Sequence, residues 1–194
     1  MQSTFLLPTN MVPQELSMNG GDWYRLEGMA RNLLIDYDDV FVVSGPLWLP
    51  DPTLHDADGN PIVAYSVIGE NQVAAPTHMF KAILAETAGG ENRAVAAYVM
   101  PNRPIDAQLP LAAYQVPLEE VDRRGGIQLF PAVDRTEMAD LGSLPSALYG
   151  SNDRAEQWRR FGQLKTAASQ KQLDASWVAA QAGLEGEPTW VAEM

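Results

Sequence analysis

The residues with the clearest chemical spacing lie between Asn10 and Arg31, in the stretch NMVPQELSMNGGDWYRLEGMAR. With a helix starting near Asp22, Trp23, Glu27 and Arg31 fall at i, i+4 and i+8 on one face, and Asn19 sits on the loop feeding that helix. A carboxamide oxygen, a carboxylate and a guanidinium along one edge can hold a hydrated Mg2+ and a phosphate, because Mg2+ takes few protein oxygens and keeps several waters. The same residues also fit a plainer arrangement. Glu27 and Arg31 then form a solvated ion pair, and Asn19 is a turn residue beside Gly20 and Gly21.

The other candidates are few. His55 and His78 are the only histidines, so a Ser-His-Asp triad would have to use one of them. His78 stands in the apolar run PTHMFK, where a core or hydrogen-bond-satisfied role is expected, and His55 stands in LHDADGNP, where exposure is expected. Asp51, Asp56 and Asp58 with Gly59 lack the spacing and terminal Glu of an EF-hand and read as a solvated acidic loop. Lys81, Arg103, Arg123 and Arg124 suit phosphate contact and surface charge equally.

These residues need elements to position them. A strand near Thr4–Leu7 leads into a turn-rich loop, and Leu26, Ala30, Leu33 and Leu34 give the following helix an apolar stripe from its cap at Asp22 to about Tyr37. Val40–Ser44 reads as a buried strand closed by Gly45-Pro46, and 49–61 as a polar loop. Val63–Gly69 and Val73–Glu86 are apolar runs joined by a hairpin at Gly69-Glu70-Asn71, and Ala94–Met100 is another buried strand. A helix starts around Pro117 and stops at Gly125-Gly126, after which Ile127–Phe130 reads as extended. Residues 151–182, rich in Ala, Gln, Arg and Lys, read as one or two helices. The sum is an α+β arrangement, a mainly antiparallel sheet flanked by helices.

Composition sets the outer bounds. The chain has 194 residues, 46% of them hydrophobic, and a formal net charge of −12 whose acid excess lies almost entirely in residues 1–150. No basic stripe of the sort that grips a phosphate backbone is present, so contact with nucleic acid has to be local. The absence of Cys excludes disulfides, Cys-ligated zinc and a thiol nucleophile. No apolar run reaches the roughly 20 residues of a membrane span, and MQSTFLLPTN has neither a signal-peptide nor a mitochondrial-leader pattern.

The stretch NMVPQELSMNGGDWYRLEGMAR resembles N-x-x-P-Q-x-x-x-x-N-x-x-x-W-x-x-L-E-x-x-x-R of the DNA/RNA non-specific endonucleases, the ββα-metal nuclease family that includes endonuclease G. VFVVSGPLWLP, YSVIGENQVAAPTHMFKAILAE, AYVMPNRPID and YQVPLEEVDRRGGIQLFP extend the resemblance in order. It covers about residues 1–133, the C-terminal portion of such a domain, and leaves 134–194 as a helical extension of unknown role. The resemblance implies Mg2+-dependent hydrolysis of phosphodiester bonds in DNA and RNA, with Mn2+ as the alternative ion and a homodimer as the common assembly. Residue by residue, it implies that Asn19 is the metal ligand and that Glu27 hydrogen-bonds water on the metal. It further implies that Arg31 contacts the phosphate near the leaving oxygen, and that Asn10 and Gln14 line or brace the cleft.

The family's general base is the His of a D-R-G-H motif, which this sequence does not contain, so no residue here is assigned that role. MQSTF resembles an internal M-x-x-T-F stretch that follows the motif. The expectation is therefore either a start upstream of Met1, where any targeting segment would also lie, or a truncated relic. Two readings follow: a nuclease whose base lies outside the chain, and an inactive nuclease-fold module that binds metal or a partner. A sheet short of its early strands would expose an apolar edge and be only marginally soluble, unless residues 134–194 cover it.

Overall fold

The computed structural model describes residues 11–105 and 109–141, all within Met1–Asn152, one of the two compact units into which the chain divides. The expected strand at Thr4–Leu7, the residue Asn10 and the helices expected over 151–182 lie outside the described residues.

Alternation of side chains along two long strands organises this unit. β1 (Asp39–Leu47), β4 (His78–Glu86) and β5 (Arg93–Pro101) form an antiparallel ladder in which Val43 pairs with Ala82 and Ala82 with Ala97. The outer edge of β5 is shared by β6 (Gln115–Val116), which is antiparallel, and β7 (Ala139–Asp140), which is parallel. A separate hairpin pairs β2 (Val67–Ile68) with β3 (Val73–Ala74) around the expected turn at Gly69.

Because successive side chains of a strand point to opposite faces, β4 serves two cores at once. Met79, Ile83 and Ala85 pack with Met18, Trp23, Leu26, Met29 and Leu33 of the N-terminal helical segment. Phe80 and Ala82 pack on the other side with Leu47, Leu118, Val121 and Leu129. Alanines at 82, 85, 94, 96 and 97 keep both surfaces of the central strands low, so helices can approach closely. Full burial of a side chain such as Leu26 or Ile83 stabilises the fold by about 1.5–3 kcal/mol.

The N-terminal segment corrects the expected helix start. α1 (Leu16–Met18) begins at an N-cap on Glu15, whose carboxylate accepts from the Met18 N–H at 2.7 Å, and continues through a π-helical turn (Asn19–Trp23) into α2 (Tyr24–Asn32). Asp22 is therefore no cap. It is buried inside the helical segment, and Asn19 lies within the helix rather than on a loop before it. On the opposite face, α3 (Leu118–Gly125) follows Pro117, carries Glu119 and Glu120 in its first turn and Arg123 and Arg124 in its last, and ends on Gly126 at φ 64°. That charge order suits the helix dipole, and the left-handed end favours glycine.

Three further expectations change. Val40–Ser44 does form part of a strand, but Phe41, Val42 and Val43 are 48%, 44% and 37% exposed, because β1 pairs with β4 alone among the described residues. The run Val73–Glu86 divides at 75–77 into β3 and β4. Ile127–Phe130 forms no strand, although Leu129 is buried and its N–H donates to Asp122 Oδ1 at 2.9 Å. No helix of the described residues is long and apolar enough to cross a membrane.

Candidate active site

The helical segment is fixed at its start by an asparagine distant in sequence. Asn102 accepts from the Glu15 N–H at 2.7 Å and donates through Nδ2 to the carbonyls of Pro13 (3.0 Å) and Pro76 (2.9 Å). Its own N–H donates to the Thr77 carbonyl, so 13–15 is held at the ends of β4 and β5. Gln14 then lines a cleft of about 1030 Å3 shared with Tyr65, His78, Arg103 and Arg124.

One turn further on, the chain widens. Gly21 adopts φ −105°, ψ −105°, outside the helical region, within the turn that carries Asn19 and Asp22. Asp22 holds the turn down: one carboxylate oxygen pairs with Arg25 and the other accepts from the Tyr114 hydroxyl at 2.9 Å. Asn19 remains exposed, and no hydrogen bond to its carboxamide forms among the described residues. A carbonyl oxygen on a braced turn, free to bind, suits Mg2+, which takes one or two protein oxygens and keeps its waters. Among the described residues no group of three or more His, Cys, Asp and Glu could hold a metal ion, so a carboxylate cage for a less hydrated ion is not formed there.

Glu27 and Arg31 are half-buried on α2, and Arg31 lies 5.7 Å from the centroid of the Tyr24 ring. The structure adds a residue that the sequence left as one cation among several. Lys81, on the helix-facing side of β4, is 5% exposed, and its ammonium donates to Ser44 Oγ at 2.9 Å. It also stands over the Trp23 ring, 4.3 Å from its centroid. Burial pushes its pKa down, while the Glu27 charge pulls it up and the Arg31 charge pushes it down again. Glu27 and Arg31 thus both bear electrostatically on Lys81, which stands beside Trp23. The signal in the sequence was a lysine inside the apolar run MFKAILA, at a position whose neighbours two residues away, Met79 and Ile83, are core.

Neither histidine joins this group. His78 shares the face of Phe80 and Ala82, opposite to that of Lys81 and the helical segment, and its Nδ1 lies 3.0 Å from Thr77 Oγ1. It is half-buried with that nitrogen satisfied, and burial, Arg103 and Arg124 all push its pKa below the ordinary value. His55 lies in the exposed loop, bridging to Pro61. There Asp56 accepts from the N–H groups of Asp58 and Asn60 and from the Asn60 carboxamide, and Asp51 accepts from Thr53. The acidic loop spends these carboxylates on its own backbone and side chains.

Comparison with known proteins bears on the same residues. The family model for DNA/RNA non-specific endonuclease matches residues 1–136. The chain is 41% identical over 151 residues to human "Endonuclease G, mitochondrial", covering 78% of this chain and 48% of that protein. It is 44% identical over 138 residues to human "Nuclease EXOG, mitochondrial", covering 70% and 36%. Among solved structures it is similar to a chain of the EndoG/EndoGI complex, with TM-score 0.62 and 38% identity over 69% of this chain and 54% of that one. The chain thus spans about half, or less, of the length of the relatives it matches.

Proposed function

The chain belongs to the DNA/RNA non-specific endonuclease family, and from that premise we propose that it carries the metal-binding and phosphate-binding half of an Mg2+-dependent nuclease that cleaves both DNA and RNA. The observation that carries this reading is the helical face itself. A braced turn presents the Asn19 carboxamide, and Glu27, Arg31 and Lys81 follow along the same segment and the strand beneath it.

Asn19 is the residue that would hold the metal, and Mg2+ (or Mn2+) would supply charge stabilisation for the developing phosphorane and the departing oxygen. Glu27 accepts hydrogen bonds from water at this face. Arg31, whose planar guanidinium matches phosphate geometry, holds the phosphate near the leaving oxygen. Lys81 keeps a cation beside both, and the Trp23 ring covers it from one side, which lowers the local dielectric and strengthens each of these interactions. Gln14 borders the cleft along which a strand would run.

The general base is not among these residues. Asn10, which lies outside the described residues, is assigned with Gln14 to lining or bracing the cleft in the same proposal. The test is Mg2+-dependent nicking of plasmid DNA and cleavage of RNA by the protein isolated from its native source, with and without EDTA, against the Asn19→Ala variant. Loss of cleavage in EDTA and in the variant is expected, and full activity in the variant would overturn the assignment.

A second reading is supported by the exposed β1 edge and by the absence of an imidazole at the helical face among the described residues. In it the chain is a nuclease-fold module that binds a partner and hydrolyses nothing. EDTA-sensitive nicking by the pure 194-residue chain would exclude it.

A further inference from the structure

The cleft on the α3 side of the sheet is built differently from the helical face. Its floor is the start of β4, where Thr77 Oγ1 accepts from the Leu49 N–H at 2.8 Å and lies 3.1 Å from the Leu47 carbonyl. Its walls are the 13–15 segment pinned by Asn102, the 49–53 and 64–68 stretches, the 102–103 turn and the end of α3. At about 1030 Å3 it is large enough for a nucleotide.

Its charges are arranged around one imidazole. Arg103, from the turn after β5, and Arg124, from the last turn of α3, both bear on His78, and no carboxylate stands among the charges that act on it. The two carboxylates that line the cleft are occupied. Glu15 accepts from Ser17 Oγ and from the Met18 N–H, and Asp51 accepts from the Thr53 hydroxyl and N–H while also attracting Arg103. Arg124 is held by Glu120, and no hydrogen bond to the Arg103 guanidinium forms among the described residues. Two cations bear on a half-buried imidazole on which no carboxylate acts, so an anion placed at that imidazole is attracted by both. Tyr65, 53% exposed in the lining of the same cleft, offers a ring face on which a base can stack.

We propose that this cleft is a nucleotide subsite for a strand flanking the scissile bond, with the phosphate between Arg103, Arg124 and His78 and the base on Tyr65. The proposal rests on the nuclease reading and names where its substrate continues. Gln14 borders the cleft and stands in the segment, pinned by Asn102, that continues into the turn bearing Asn19. With the Thr77 hydroxyl hydrogen engaged on a carbonyl, His78 Nδ1 donates to that oxygen, and Nε2 is the nitrogen that takes up a proton when an anion arrives.

The experiment is NMR titration of the two histidines of the 194-residue chain against pH, in EDTA so that no metal-dependent cleavage occurs. It is run alone, with inorganic phosphate and with a short single-stranded oligonucleotide, and His78→Gln supplies the assignment. Both ligands are expected to raise the His78 midpoint and leave His55 unmoved. Arg103→Ala should weaken both by at least about tenfold, and Tyr65→Ala should weaken the oligonucleotide alone. A His78 midpoint that neither ligand moves, or the same movement in Arg103→Ala, would overturn the site. A response to phosphate without a response to oligonucleotide would overturn the strand as its ligand. Because the readout needs no metal, failure here with Asn19-dependent cleavage intact removes only the subsite, and binding here with Asn19→Ala fully active removes only the helical-face reading.

Discussion

The Lys81 ammonium lies 4.3 Å from the centroid of the Trp23 ring, so a strand buried under a helix presents a cation to the face on which Glu27 and Arg31 stand. Replacing Lys81 by Met keeps the volume and removes the charge. The expected outcome is a folded chain, in native-source protein, whose cleavage falls about 10- to 100-fold, with partial recovery in Lys81→Arg. Circular dichroism melting checks the fold and plasmid nicking checks the chemistry. Unchanged nicking would show that the cation is structural.

Asp22 gives a prediction on stability. Its side chain has no exposed surface, and it holds Arg25 and the Tyr114 hydroxyl at once. Asp22→Ala leaves Arg25, 11% exposed, without its carboxylate and should cost about 3–5 kcal/mol. Tyr114→Phe removes the hydroxyl's bond to Asp22 while leaving the Asp22–Arg25 pair in place, and should cost about 1 kcal/mol. Urea denaturation of both variants tests the order, and equal costs would contradict it.

Tyr98 predicts the alkaline limb of stability. Burial first, and the Asp140 charge second, push its phenol up to about 12, and its hydroxyl donates to Met29 Sδ at 3.7 Å. In the unfolded chain the phenol ionises near 10, so the fold favours the neutral form. That contribution is fully present below about pH 10 and is lost as pH rises towards 12. Urea midpoints for wild type and Tyr98→Phe across this range should show a steeper loss in wild type, and parallel curves would refute it.

The β1 edge predicts association. Phe41, Val42 and Val43 are exposed on both faces of a strand that pairs with β4 alone among the described residues. Open edges with apolar side chains recruit further strands. Sedimentation velocity of the 194-residue chain should show concentration-dependent self-association that Val42→Lys suppresses. A single monomer boundary at every concentration, with a cooperative melt, would rule it out.

The strands and the turns between them were legible because period-two alternation and Gly-rich punctuation report local geometry. β5, α3 with its Gly126 end, and the Gly69 hairpin stand where the pattern put them. The exposure of β1 was not legible, since VFVVS reads as core and its neighbours, not its own residues, decide burial. The helix start was misread for a related reason. Asp22 has the side chain of a cap, but Glu15 caps the helix and Asp22 answers to Tyr114, 92 residues away. Asn19, Glu27 and Arg31 enter the proposed site from spacing and resemblance, whereas Lys81 joins it only once β4 is laid under the helical segment.

The wide turn at Asn19–Trp23 also sets a phase. Eight residues of regular α-helix overshoot two full turns by about 80°, which would swing Asn19 away from the azimuth of Glu27. A turn closed from i to i+5 takes more residues per revolution and works against that overshoot. The extra residue is taken up there: with one fewer at Gly20, ordinary winding would leave Asn19 about 20° short of two full turns from Glu27. The two glycines of this turn are therefore the vernier that lets the longer spacing still serve one face.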